Sequence, residues 1–102
     1  MAASGQEILS VLLANEVRAD LVSMFRKNPG IIDSIDGVSR RIGRIPTSIQ
    51  EDIGALVKLG VLKARKLGDI EIYSLDRIKD KDIQEKIGGY LQKVKPNSKG
   101  RV

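Results

Sequence analysis

A chain of 102 residues without cysteine or histidine is long enough for one domain around a single core. It excludes disulfides, thiolate or imidazole metal sites and Ser–His–Asp chemistry. The net charge of +5 is concentrated: residues 40–66 hold seven bases against two acids, residues 93–102 hold four bases and no acid, and the remainder is acidic. That distribution suits an anionic partner.

In chain order, Ser4 and Glu7 have capping-box spacing, and Ile8, Leu9, Leu12 and Leu13 recur at helical intervals, predicting a first helix over about 5–14. Asn15 caps a second helix with Val17, Leu21, Met24 and Phe25 inward and Val22 broadening the stripe. Asn28-Pro29-Gly30 stops it. "IIDSIDGVSRRIG" starts extended. Ser34 or Asp33 then caps a short helix that turns Ile35, Val38 and Ile42 inward and ends at Gly43. Pro46 suits a first helical position, and Ile49, Ile53, Leu56 and Leu59 form the stripe of a fourth helix closed by Gly60 in a left-handed cap.

The period then changes to alternation. "VLKARK" and "IEIYSL" flank Leu67, Gly68 and Asp69, with a tight turn at Gly68-Asp69, predicting a two-stranded hairpin with Leu62, Ala64, Ile70, Ile72 and Ser74 on one face and Lys63, Arg65, Glu71 and Tyr73 on the other. Such a hairpin must lie on helices to be stable. Asp80 or Asp82 caps a last helix along Ile83, Ile87, Tyr90, Leu91 and Val94, and the basic stretch 93–102 reads as a disordered tail. The expected order is α-α-α-α-β-β-α, mainly helical with a small hairpin. A domain spans 1–92. No apolar run reaches the ~18–20 residues that span a bilayer, and "MAASGQE" lacks the basic start of a signal peptide. The expectation is a cytoplasmic protein with no membrane partner.

The stretch "DGVSRRIGRIPTSIQEDIGALVKLGVLKARKLGDIEIYSL" resembles winged helix-turn-helix transcription regulators of the ArsR-like kind. Gly43 matches the turn glycine, Ile49 the inward residue of the recognition helix, and Leu56, Leu59 and Gly60 the hand-over to the wing. Upstream, "LLANEVRADLVSMF" resembles the family's leading helix, with Arg18 at its arginine. The resemblance covers about residues 8–75 and implies a three-helix core with a two-stranded wing and double-stranded DNA as partner, leaving any effector open. No residue pairs a nucleophile with a base and no glycine-rich phosphate loop is present, so neither catalysis nor a cofactor is expected. Metal-sensing members use cysteine or histidine, which are absent here, and no acidic cluster has ligand spacing, so no metal is expected.

A recognition helix needs short polar side chains on its first turns, where that end meets base edges. Thr47, Ser48, Gln50 and Glu51 lie off the apolar stripe and are the candidate base contacts. Gln50 can pair bidentately with adenine and Glu51 can accept from cytosine N4, or Glu51 can simply favour the positive end of the helix dipole. Arg40, Arg41, Arg44 and Lys58 are candidate phosphate contacts, which position without specifying, although one arginine could instead pair with Asp36 or Glu51. Lys63, Arg65 and Lys66 are candidate wing contacts. The flanking stripes (Leu9, Leu12, Leu13, Ile83, Ile87, Tyr90, Leu91 and Val94) either cap the monomer core or, as the resemblance implies, form a homodimer interface matched to two half-sites. The rival to DNA readout is a winged-helix module that binds other proteins in a transcription or replication assembly.

Overall fold

The computed structural model describes residues 4–94, with side chains to Gln92. Val94's side chain and the expected disordered tail lie outside the described residues. The order is α1 (Gly5–Leu12), α2 (Glu16–Lys27), β1 (Ile32–Ser34), α3 (Ile35–Arg41), α4 (Pro46–Leu59), β2 (Leu62–Leu67), β3 (Ile70–Leu75) and α5 (Arg77–Val94).

The helix ends follow local chemistry. Ser4 Oγ accepts from the Glu7 amide at 3.1 Å while Glu7 Oε1 accepts from the Ser4 amide at 2.8 Å, a reciprocal cap. Asn15 caps α2 and Ser34 caps α3 through their side-chain oxygens. Gly43 and Gly60 carry φ +69° and +107°, a region that costs glycine nothing. Gly43 makes the turn between α3 and α4, and Gly60 closes α4 and releases the chain into β2. α4 itself starts on Pro46 with no side-chain cap.

Aliphatic residues build the core: Leu21, Val38, Ile49, Ile53, Leu56, Val61 and Leu62 are buried with Phe25. At about 25 cal/mol per Å² of apolar surface removed from water, this burial is the main favourable contribution to the fold.

Three expectations are corrected. First, the extended start of "IIDS" is a third strand, antiparallel to β3, so the sheet runs β1-β3-β2 and the wing is not an isolated hairpin. Second, the two-residue turn pairs Leu67 with Ile70, so an even-numbered residue of β2 shares a face with an odd-numbered residue of β3. Leu62, Ala64, Tyr73 and Leu75 therefore face inward, and Tyr73 packs against the core. Ile70, Ile72 and Ser74 join Lys63 and Arg65 on the outer face instead. Third, α5 starts at Arg77, capped by Asp76, whose Oδ1 accepts from the Lys79 amide at 3.1 Å. Asp80, 2% exposed, takes a two-pronged contact from Arg26 (Nε 2.9 Å, Nη2 2.7 Å) and a bond from Gln84 Nε2 at 2.8 Å, as buried carboxylates require.

Candidate nucleic-acid interface

α3, the Gly43 turn and α4 form a helix-turn-helix with the β2–β3 hairpin directly after it. α4 is divided lengthwise. Ile49, Asp52, Ile53 and Leu56 are buried, while Thr47, Ser48, Gln50 and Glu51 are exposed on its first two turns. The side chains expected at base edges thus project together from one end of one helix. Ser48 Oγ donates to the Ile45 carbonyl at 2.8 Å, which leaves its lone pairs free to accept.

An unforeseen network holds α4 in place. Asp52 Oδ1 accepts from Arg18 Nε at 2.8 Å and from Asn15 Nδ2 at 2.9 Å, and Arg18 Nη1 reaches the Val11 carbonyl at 3.1 Å. Asn15 also caps α2 by accepting from the Arg18 amide. One carboxylate on α4 is therefore tied to the start of α2 and the end of α1. The sequence signal for it is that Asp52 sits three residues after Ile49, on the buried stripe, where a carboxylate needs a partner.

The candidate arginines divide. Arg40 is exposed and has no carboxylate partner among the described residues. Arg41 Nε is 3.2 Å from Asp33 Oδ2, tying α3 to β1. Arg44 Nη2 is 3.1 Å from Asp20 and 3.9 Å from Glu16, both on α2, and its buried Nε has no hydrogen-bond partner among the described residues. The partners are Asp33, Asp20 and Glu16, not Asp36 or Glu51. Lys58 is exposed on the last turn of α4. Lys63, Arg65 and Lys66 are exposed on β2, the first two on the outer face of the sheet and Lys66 across from Glu71. Tyr73 Oη donates to Glu71 Oε1 at 2.9 Å; burial, then the hydrogen bond and the negative charge of Glu71, push the phenol up to about 12.

The flanking helices lie against each other. A Cβ at Gly5 would run into Tyr90 and the Lys86 carbonyl, so α1 and α5 approach backbone to backbone. Leu12 and Ile83 are buried within the single chain, Leu9, Ile87 and Tyr90 are half-buried, and Leu13 and Leu91 stand 64% and 48% exposed. Beside them is an apolar cleft of about 530 Å³ lined by Leu9, Leu12, Leu13, Val22 and Ile87. Among the described residues no helix is long and apolar enough to cross a membrane, and no three acidic side chains are grouped to hold a metal ion.

No family model and no curated protein matches the sequence. Solved structures do match. One described as a possible transcriptional regulator for arsenical resistance superposes with a TM-score of 0.66 at 18% identity, over 82% of this chain and 83% of its own. A possible transcriptional regulator from Methanosarcina mazei Go1 gives 0.65 at 13% identity, over 87% and 81%. A homodimeric winged helix-turn-helix DNA-binding domain from Mycobacterium bovis, a possible ArsR-family regulator, gives 0.60 at 13% identity, over 95% and 88%. The fold is a winged helix-turn-helix. Within it α4 is the second helix of the helix-turn-helix, and β2 and β3 form the hairpin that follows it.

Proposed function

We propose that this winged helix binds double-stranded DNA sequence-specifically, as a homodimeric transcriptional regulator and not as an enzyme. α4 enters the major groove with Thr47, Ser48, Gln50 and Glu51 toward the base edges. Arg40 and Lys58 rest on the phosphates, Arg41 and Arg44 add charge beside them, and Lys63, Arg65 and Lys66 bring the wing to the adjacent backbone or minor groove. Residues 1–92 act as the binding unit, and the four bases of residues 93–102 add sequence-independent attraction.

The observation that carries this reading is the division of α4. Its inward residues anchor the helix, while the outward residues of its first two turns at 47, 48, 50 and 51 are polar and exposed. The uncapped start at Ile45 and Pro46 leaves the positive end of the helix dipole available to a phosphate. The descriptions of the structural neighbours as transcriptional regulators, one of them a homodimeric DNA-binding domain, support the same reading.

Selection of bound duplexes from a random pool, followed by titration of the selected and a scrambled duplex at two salt concentrations, tests it. The expected outcome is a preference of roughly a thousandfold or more for the selected site and affinity that falls as salt rises. Absence of salt-sensitive duplex binding would overturn the proposal and leave the fold as a protein-interaction module.

A further inference from the structure

The outer face of the sheet is composed differently from the helix-turn-helix surface. In register across its three strands, Ile32 on β1 lies beside Ser74 on β3, which lies beside Lys63 on β2, and Ser34, Ile72 and Arg65 form the next row. The face is therefore graded, with isoleucines on β1 and β3 and cations on the β2 edge: Ile72 lies directly beside Arg65 and Ile32 two strands from Lys63, about 10 Å away at the usual strand spacing. Together with the start of α5 these rows enclose a cleft of about 390 Å³, lined also by Pro29, Leu75, Asp76, Arg77 and Ile78. That volume falls within the range of small-molecule sites.

Two features set it apart from an ordinary wet surface. Ile32 and Ile78 are 59% and 84% exposed, aliphatic area that water covers at a cost. Lys63, Arg65 and Arg77 have no carboxylate partner among the described residues. The one acid in the lining, Asp76, is already engaged as the cap of α5. An occupant that matches the cleft is apolar on one side and anionic on the other.

We propose that this cleft binds a small amphiphilic carboxylate, its unbranched acyl chain lying on Ile32, Ile72 and Ile78 and its carboxylate on Lys63 and Arg65. The carboxylate accepts charge-assisted hydrogen bonds from the β2 cations, and the chain covers the exposed isoleucines. Because Lys63 and Arg65 are also the proposed wing contacts, the ligand and a duplex compete for them. That competition rests on the proposed function; the site itself does not.

The probe is monomeric decanoate, with decanol as its uncharged counterpart, followed by calorimetry and isoleucine and leucine methyl NMR. Decanoate should saturate and shift Ile32, Ile72 and Ile78. The Lys63→Gln/Arg65→Gln variant, changed only on the surface, should weaken binding by about tenfold, the sum of two exposed ion pairs. Ile78→Ser, also on the surface, should weaken decanoate and decanol alike. Decanol binding as tightly as decanoate, methyl shifts at Leu9 and Leu13 in place of the isoleucines, or binding only to anionic phospholipid vesicles would each overturn the proposal. Unchanged duplex affinity at saturating decanoate would overturn the competition and the wing contact, but not the cleft.

Discussion

Arg18 Nε and Asp52 Oδ1, 34 residues apart in sequence, lie 2.8 Å apart and fix α4 to α2. Both side chains are largely buried, at 17% and 10% exposure, so water replaces a lost partner only in part. Removing one partner strands the other charge. Arg18→Ala and Asp52→Ala should each cost about 3 kcal/mol, the lower end for a broken buried pair because both groups keep some solvent. The double variant should lose clearly less than the sum, since the interaction is removed only once. Urea denaturation of the four proteins reads the cycle directly, and additive losses would show that the pair is not coupled.

The flanking helices give a second prediction. Leu13, which caps the end of α1, and Leu91 on α5 are exposed leucines beside the packing of Gly5 on Tyr90, whereas Leu12 and Ile83 serve the core of one chain. Leu13→Glu with Leu91→Glu should therefore split a homodimer while leaving helical content and melting temperature nearly unchanged. Changing Leu12 would unfold the chain and say nothing about assembly. Sedimentation at tens of micromolar would measure it, and an unmodified protein that sediments as a monomer would end the dimer reading.

What the sequence makes legible follows from how far apart the cooperating residues lie. The Ile49–Ile53–Leu56 stripe, the Ser4–Glu7 cap and the left-handed Gly60 are set within one or two helical turns, and each is readable from spacing alone. The third strand is not, because three residues carry no measurable period. The face of Tyr73 depends on whether the turn holds two residues or three, a parity that reverses every side chain of β3. The partners of Arg41, Arg44 and Arg26 lie 8, 24 and 54 residues away, distances over which charge pattern has no predictive geometry. The outward set at the start of α4 is legible because it is the complement of the stripe. What those side chains touch is a property of the complex.

Tyr73 gives a prediction in pH. Its phenol is pushed up to about 12 from an ordinary value of about 10, first by burial and then by Glu71. A raised value means that the folded state favours the protonated phenol, so this stabilisation is fully present below about pH 10 and is lost as pH rises through about 12. Tyrosinate absorbance should show a late-titrating component that Tyr73→Phe removes. Glu71→Gln should bring it only part of the way back, because burial is the larger cause. A complete return to the ordinary value would mean that the carboxylate alone is responsible.

The last prediction separates holding a duplex from reading it. Arg40 and Lys58 are exposed and unpaired among the described residues, so each can meet a phosphate without first leaving a carboxylate. Replacing either with alanine should weaken specific and random duplexes alike. It should also make the log–log salt slope shallower by about 0.9 for each phosphate that is no longer neutralised. Arg44 is held by Asp20 at 3.1 Å, and reaching a phosphate would require giving up that pair. Arg44→Ala should consequently change the slope less than Arg40→Ala while costing some stability, because it releases α2 from the turn that precedes α4. Gln50 points outward from the first turns of α4, so Gln50→Ala should cost roughly 1–3 kcal/mol on the selected site, little on random DNA, and leave the slope nearly unchanged. These four variants and Arg65→Ala are titrated on the same two duplexes at matched ionic strength. If Gln50→Ala leaves site preference intact while Arg65→Ala abolishes it, the wing is the reader and α4 only the support.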